Sequence, residues 1–251
     1  DVNNNSDTYV SWNWKAGGSA SNNTDGSLTV SLSANQDAGF SIATFTSSGS
    51  GVDTLGHGLG AAPSMIIIKS TSNSSTNWSI YHKSIGNNKE ILFNAGAAST
   101  NTMWNNTTPT STLWNLKTGN FGTNRGGVAY CFADVQGYSK VSGSYVGNGN
   151  ADGTFVYTGF KPAFVMTKRS DGESDWYMSD NKRNGFNDDN HVFYANEADA
   201  EKTVNRIDIL SNGFKLRSTG SGVNASGGNY IFMCFAENPF VTSTGVPATA
   251  R

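Results

Sequence analysis

The stretches VAYCFAD (Val128–Asp134) and IFMCFAE (Ile231–Glu237) are nearly the same sequence, and they lie about a hundred residues apart. Read with a period of two, the first stretch places bulky Tyr130 and Phe132 on one side and small Cys131 on the other. Both sides are apolar in both stretches. The pattern therefore predicts a strand that is buried on both faces and that closes each of two copies of one unit.

Short apolar runs separated by Gly- and Asn-rich turns recur in the same order in both copies. They predict strands at 39–46, 63–69, 78–83, 89–95, 113–118 and 127–135, and then at 142–147, 162–168, 175–180, 191–196, 206–218 and 229–237. We expect an all-β chain of two tandem, related β-sandwich units, jelly-roll or lectin-like, from an internal duplication. The predicted divisions are 39–137, 138–240 and a C-terminal tail at 241–251.

The N-terminal residues carry a further trace of the unit. Tyr9–Trp14 (YVSWNW) aligns with Tyr230–Phe235 (YIFMCF), which predicts the end strand of a preceding repeat. Trp12 and Trp14 are expected either to complete a neighbouring sandwich or to add an edge strand to this one. A polar, Gly-rich linker follows, so residues 1–38 are predicted to be that end strand and a flexible linker.

The composition narrows the classes of partner. Among 251 residues only 14% are charged and the net charge is −2, and the basic residues are scattered. A protein that tracks a phosphate backbone needs clustered Lys and Arg, so no nucleic-acid partner is predicted. No apolar run approaches the roughly 20 residues of a membrane-spanning helix, and membrane insertion is not predicted.

Cys131 and Cys234 occupy the same position in the two copies, on the side with the smaller residues. The favoured interpretation is a free, buried cysteine that packs as a small apolar residue. The alternative is a disulfide between the copies, which requires the two strands to be close neighbours.

Several motifs recur in a fixed order along the whole chain: YVSWNWKAGG, AGFSIATFT, GHGLGAAP, YTGFKPAFVM, SNGFKLRS and FAENPFVTSTGVPATAR. They resemble repeat proteins of tailed, especially marine, bacteriophages, which are described as tail-fibre-like or as carrying concanavalin-type lectin-like domains. The resemblance implies a non-enzymatic protein on the virion surface, in contact with other virion proteins and with host-surface polysaccharide. It also implies a homo-oligomer, since such fibres are commonly trimers.

Two other functions stay open. One is a structural or decoration protein of the virion that binds no glycan. The other is a polysaccharide-cleaving enzyme, which would need paired carboxyl groups across a groove. The nearest approach is Asp171, Glu173 and Asp175, in a segment that reads as a solvated hairpin turn, and no catalytic residue is predicted.

A weak calcium motif lies in NGNADG. Asn148, Asn150 and Asp152 place oxygen ligands at alternate positions and Gly153 follows, as at the start of a calcium loop. The closing Glu is missing, because Gly159 stands in its place. A plain hairpin turn is the favoured interpretation, and bound Ca²⁺ is the alternative.

Sugar recognition by a β-sandwich combines an aromatic ring with amide or carboxylate groups. Trp104, flanked by Asn105 and Asn106, lies in the longest loop of the first copy and is the first candidate for glycan binding. Asp188 and Asp189, in a polar loop of the second copy, are further candidates. Trp78 and Trp176 begin matched strands and are predicted to be structural.

Overall fold

The computed structural model describes residues 4–183, 187 and 191–239, and within them the chain is almost entirely β-structure. The strands that form the first half are β1 (Ser21–Asn23), β2 (Val30–Asn35), β3 (Phe40–Thr46), β4 (Val52–Gly56), β5 (Met65–Ser70), β6 (Ser79–His82), β7 (Lys89–Leu92), β8 (Ser99–Thr100), β9 (Leu113–Lys117) and β10 (Gly126–Phe132). A 3₁₀ turn at Lys83–Ile85 and a one-turn helix, α1 (Thr118–Phe121), connect some of them.

The second half contains β11 (Ser139–Val146), β12 (Phe155–Tyr157), β13 (Pro162–Arg169), β14 (Trp176–Asp180), β15 (His191–Tyr194), β16 (Lys202–Thr203), β17 (Ile207–Leu210), β18 (Gly213–Leu216), the one-turn helix α2 (Ser221–Asn224) and β19 (Asn229–Ala236). The predicted all-β fold is confirmed. In the described residues no helix is long and apolar enough to cross a membrane.

Each half forms one large and one small antiparallel sheet. The first large sheet has the order β1-β2-β3-β10-β5-β6-β7-β8 and faces the small sheet β4-β9, which makes the first sandwich. The second large sheet has the order β11-β19-β13-β14-β15-β16 and faces β12-β18-β17, which makes the second sandwich. From β3 and from β11 onward the two large sheets have the same strand order. That the likeness arose by duplication stays a prediction.

Three hydrophobic cores separate the four sheets. The first core lies inside the first sandwich and the second core inside the second, while the middle core lies between the two large sheets. The middle core contains Phe40, Met65, Ile67, Ile80, Ile91, Phe132, Val141, Phe164, Met166, Trp176, Ile231, Met233 and Phe235. The sandwiches thus pack through their large sheets into one four-layered stack.

The two central strands are buried on both faces, as the sequence predicted. Along β10, Ala129 and Cys131 point into the first core while Phe132 points into the middle core. Along β19, Cys234 points into the second core and Phe235 into the middle core. The bulky residues of both strands therefore meet between the sheets, and the small residues of β10 face its own small sheet.

The N-terminal segment differs from its predicted structure. Tyr9–Trp14 is in no strand of this chain, and its assignment to a preceding repeat stays a prediction. The segment is instead an extended chain that places Trp12 and Trp14 against the middle core. The Trp14 ring centroid lies 5.7 Å from that of Phe164 and 5.4 Å from that of Phe235. The two tryptophans of this segment thus add apolar contacts to the middle core.

The predicted linker is also built into the first sandwich. Strand β2 pairs with β3 throughout, from Ser31 opposite Thr44 to Asn35 opposite Phe40, and β1 pairs with β2. The hydrogen-bonded sheet thus extends beyond the predicted division at residue 39. The division of the chain into domains stays a prediction.

Both cysteines are free and fully buried, in different cores. Cys131 belongs to the first core and Cys234 to the second, with the middle core between them. The disulfide alternative is therefore wrong. Burial raises the pKa of the Cys131 thiol to about 12 and raises that of Cys234 well above its usual value.

These positions predict inert thiols in the folded protein. At about pH 8 a small aromatic disulfide reagent should react with neither cysteine, because each thiol is inaccessible and protonated. Both should react fully once the protein is unfolded in guanidinium. Rapid labelling of either cysteine in the native protein, measured by mass spectrometry, would contradict the assignment of these strands to closed cores.

Candidate functional site

Trp104 is part of the first core. Its side chain is only 1% exposed and its ring lies 5.8 Å from Tyr81 and 6.1 Å from Trp114, between centroids. The prediction that this ring is offered to a sugar is therefore wrong. The sequence shows an aromatic residue in a polar loop, and the ring anchors that loop by pointing inward.

The flanking amides belong to a tight turn. Asn105 and Asn106 have φ values of 52° and 50°, a left-handed conformation that Asn tolerates better than most residues. Thr107 donates its amide hydrogen to the Trp104 carbonyl at 3.0 Å and closes the turn. These asparagines thus have a local structural role. The other glycan candidates, Asp188 and Asp189, lie outside the described residues.

The oxygens of the NGNADG loop are already hydrogen-bonded. Asn148 Oδ1 accepts from the Asn150 amide at 3.0 Å, and Asn150 Oδ1 accepts from the Asp152 amide at 2.9 Å. Asp152 pairs with Lys215 Nζ at 2.6 Å, and the Lys215 hydrogen bond and charge lower the pKa of this exposed carboxyl. The contacts favour the hairpin-turn interpretation, because the side-chain oxygens bond within the loop and to a cation.

The acidic hairpin does not form a pair of facing carboxyl groups. Asp171 accepts from Arg169 Nε at 2.8 Å and from the amide of Asn229 at 2.9 Å, and Asp175 accepts from Asn196 Nδ2 at 2.9 Å. Across residues 4–183, 187 and 191–239, no three His, Cys, Asp or Glu side chains cluster as metal ligands would. Asp171 and Asp175 thus each have a separate structural partner, and Glu173 is exposed.

A different carboxyl group occupies an unusual position. Glu90 lies on β7, and its neighbour Ile91 points into the middle core. The alternation of the strand therefore directs Glu90 toward the inner side of the first sandwich, where it is 9% exposed. A carboxylate at an inward position is costly unless hydrogen bonds or protonation compensate for the lost water.

The equivalent position of the second sandwich is apolar. Strand pairing defines the match: Ile91 lies opposite Ile80, and Phe193 lies opposite Met178, so Glu90 corresponds to Val192. Val192 is 0% exposed. The fold therefore accepts a plain hydrophobic residue here, and packing alone does not require the carboxyl group.

A chain of hydrogen bonds leads from the surface to Glu90. Exposed Asn120 donates through Nδ2 to Asn101 Oδ1 at 2.7 Å, and Asn101 donates through its own Nδ2 to Glu90 Oε1. The Met103 amide also donates to Asn101 Oδ1, at 2.8 Å, and fixes its orientation. The Ser79 hydroxyl also lies beside the carboxyl group and helps to lower its pKa. Glu90 Oε2 is buried without a hydrogen-bond partner.

These groups line a cavity of about 230 Å³. Its wall is made of Ile68, Ser75, Thr76, Asn77, Ser79, Glu90, Leu92, Asn101, Met103, Asn120 and Phe121. We call this the Glu90 cavity. Amide and hydroxyl groups dominate its polar side, while Met103 and Phe121 give it an apolar side. Such a mixture can hold a ligand that has both hydroxyl groups and an apolar face.

Burial sets the protonation behaviour of the cavity. Desolvation raises the pKa of Glu90, and the hydrogen bonds from Asn101 and Ser79 lower it only in part. The net shift is upward, so the folded protein holds this proton more tightly than the unfolded chain does. No lysine or arginine lines the cavity to neutralise the ionised form. A hydrogen-bond donor of a ligand would satisfy the unpartnered Oε2.

Sequence patterns alone do not predict this cavity. KEILFNA is a convincing strand, but its alternation does not reveal that a charged residue faces inward. A useful signal was present in the comparison of the copies, because Glu90 and Val192 differ in polarity at one inward position. Strand pairing aligns Ile91 with Phe193 and Glu90 with Val192. Asn101 lies three residues before Trp104, on the side of the loop that reaches the cavity.

A family model for a domain of unknown function, DUF7483, matches residues 1–239. The chain belongs to this family. The match spans both sandwiches and the N-terminal segment that carries Trp12 and Trp14, which agrees with the shared middle core. No curated protein and no solved structure matches the chain.

The raised pKa of Glu90 predicts a pH-dependent effect of Glu90→Gln. Ionisation of Glu90 is harder in the folded state than in the unfolded chain. The wild-type protein therefore loses stability as the pH rises from the pKa of Glu90 in the unfolded chain through its higher pKa in the folded protein. Glu90→Gln should therefore raise the free energy of unfolding at about pH 7 and have little effect near pH 4. Urea unfolding at both pH values measures the difference.

Glu173→Gln is the matched control, since Glu173 is exposed. It should leave the stability almost unchanged at both pH values. A Glu90→Gln variant that is less stable than wild type at neutral pH would contradict the assignment of Glu90 as an uncompensated buried carboxyl group.

Proposed function

We propose that this DUF7483 chain is a non-enzymatic carbohydrate-binding protein and that the Glu90 cavity is its binding site. The observation that carries the proposal is the inward carboxyl group at a position where the second sandwich has Val192. The carboxyl group costs stability and has an unpartnered oxygen, which is typical of a residue kept for a ligand rather than for packing.

The chemistry of the cavity fits a sugar. Glu90 Oε2 can accept from a hydroxyl group, while Asn77 and Asn120 can both donate and accept. The apolar contribution of Phe121 and Met103 suits the C–H face of a pyranose ring. The absence of a lining cation argues for a neutral sugar over an acidic one.

The lining also supports a binding role over hydrolysis. Glycosidases need two carboxyl groups about 5 to 10 Å apart, and Glu90 is the only carboxyl group among the residues that line the cavity. A single carboxyl group can hold a sugar hydroxyl but cannot serve as both acid and base or nucleophile. The polysaccharide-cleaving alternative therefore has no support from this site.

The biological setting rests on the resemblance of the sequence motifs to tailed-phage repeat proteins. On that basis we propose a position on the virion surface, in a tail fibre or related adhesion device, with host-surface polysaccharide as the ligand. Other virion proteins and further copies of the chain would be its partners. The low charge of the sequence suits such a role in salty water, where charge attraction is screened.

The structural or decoration alternative has one observation in its favour. Val146, Phe155 and Tyr157 are large apolar side chains that lie exposed on the second sandwich. Exposed apolar surface is common at protein contacts. This surface is distant in the chain from the Glu90 cavity, so a packing role and a glycan-binding role can coexist.

A glycan array probed with the intact chain tests the proposed function. We expect selective binding to neutral glycans, and about tenfold weaker binding by Asn120→Ala and Glu90→Gln, because each removes a polar group at the cavity. Isothermal titration with the best glycan of the array gives the affinities. Calcium should not be required.

Asn13→Ala is the matched control, because Asn13 is exposed and its side chain bonds only to nearby Ser11. Its affinity should equal that of wild type. Absence of binding to every glycan, or binding that both cavity variants leave unchanged, would overturn the proposal and favour the structural role.

A further inference from the structure

The two sandwiches differ in how one side is closed. In the first sandwich, the segment Ser27–Asn35 closes the side that is formed by β3 of the large sheet and β4 of the small sheet. Its second part is β2, which pairs with β3. Its first part bonds to β4, where the Leu28 amide donates to the Thr54 carbonyl at 3.2 Å. We call Ser27–Asn35 the covering segment.

The covering segment fills the first core with alternate side chains. Val30 and Leu32 are buried, and Leu28 and Ala34 pack against the same core. The residues between them are Ser and Thr, and the whole segment is uncharged. It is thus a strand whose apolar face closes a sandwich and whose polar face meets solvent.

The corresponding side of the second sandwich can be located by strand pairing. Ala43 lies opposite Ala129, and Gly143 lies opposite Phe232 at the matching position of β19, so β11 corresponds to β3. In the small sheets, Leu55 lies opposite Trp114 and Val156 opposite Phe214, so β12 corresponds to β4.

In the described residues, no strand covers this side of the second sandwich. Strand β11 is at the edge of its sheet and β12 is at the edge of the other. The chain between β10 and β11, residues 133–138, is a tight turn closed by a bridge from Val135 to Ser139 and has no room for such a segment. The cover that precedes β3 has no counterpart before β11.

The uncovered side has the features of an unfilled strand site. A groove of about 340 Å³ runs between β11 and β12 and is lined by Lys140, Ser142, Gly143, Ser144, Tyr145, Phe155, Val156, Tyr157 and Phe232. At its rim, Phe155 and Tyr157 are 44% and 65% exposed. Phe155 corresponds to Thr54, the residue that bonds the covering segment in the first sandwich.

The backbone of β11 is available at one point of this edge. The Ser142 and Val146 carbonyls accept from the Ser84 and Thr154 hydroxyls, at 2.7 and 3.0 Å, so they point away from β19. Alternation along the strand directs the Ser144 amide and carbonyl to the same side. Ser144 corresponds to Thr44, which lies opposite Ser31 of the covering segment.

We propose that this side of the second sandwich binds an extended, uncharged segment of another polypeptide chain, with apolar residues at alternate positions as in Ser27–Asn35. The segment would bond to Ser144 and cover Phe155 and Val156. The occupant is defined by the internal template, since the same fold already binds such a strand at the equivalent place. This is strand addition to an exposed edge.

A labelled peptide of the sequence Asp25–Asp37 is the probe, and fluorescence anisotropy with the intact chain is the measurement. We expect saturable binding that protects the Ser144 amide hydrogen from exchange. A control peptide carrying Leu28→Ser, Val30→Ser and Leu32→Ser should not bind, because it keeps the polar face and loses the apolar one.

Ser144→Pro and Ser144→Ala form a matched pair. Proline is tolerated on an edge strand but removes the outward amide, so Ser144→Pro should weaken peptide binding about tenfold while Ser144→Ala binds as wild type. Phe155→Lys should also weaken binding. Val52→Lys, an equally exposed apolar position on β4, should not.

Two results would overturn the proposal. One is absence of binding at millimolar peptide, or binding that Ser144→Pro and Phe155→Lys leave unchanged. The other is binding to a variant ending at residue 239 but not to the intact chain, which would show that the chain's own C-terminal residues occupy the groove.

Discussion

Contact between the two large sheets is the interaction on which the rest of the structure depends. Phe132 of the first sheet and Phe235 of the second meet in the middle core, with ring centroids 6.3 Å apart, and Trp14 packs against both. Each large sheet thus has a core on either face. A sheet buried on both sides needs strands without a polar face, and the two nearly identical central strands meet that need.

The sequence was informative where burial alone decides the residue type. Central strands show continuous apolar runs, and turns show Gly and Asn, so the all-β fold and most strand positions could be predicted. The N-terminal segment could not, because a Trp at alternate positions looks the same in a paired strand and in an extended chain that packs on a core. The prediction that Trp104 binds a sugar was wrong for a similar reason, since composition does not show which way a loop residue points.

The Glu90 cavity could not be predicted from the sequence for a different reason. Its polar groups come from the loop 75–77, β6, β7, the loop at Asn101 and the helix at Asn120, and only the folded chain brings them together. Glu90 breaks the apolar rule of an inward strand position, where Val192 obeys it. Places where local pattern and global fold disagree are expected at functional sites. In this chain the disagreement shows in the comparison between the two sandwiches, provided that they are aligned by strand pairing.

The large sheets of the two sandwiches share a strand order, but the sandwiches differ at the Glu90 position and in whether one side is covered. The first has a cavity with a buried carboxyl group and a side closed by the covering segment. The second has an apolar residue at the carboxyl position and an uncovered side. These differences are the basis of the two proposals, a ligand site in the first sandwich and a strand-binding edge in the second.

Equilibrium unfolding of the intact chain tests the central claim most directly, because a shared middle core couples the two sandwiches. We predict one cooperative guanidinium transition, coincident by tryptophan fluorescence and by circular dichroism, which Phe235→Ala shifts as a whole. Two separate transitions, with Phe235→Ala moving only the one that belongs to the second sandwich, would contradict the account.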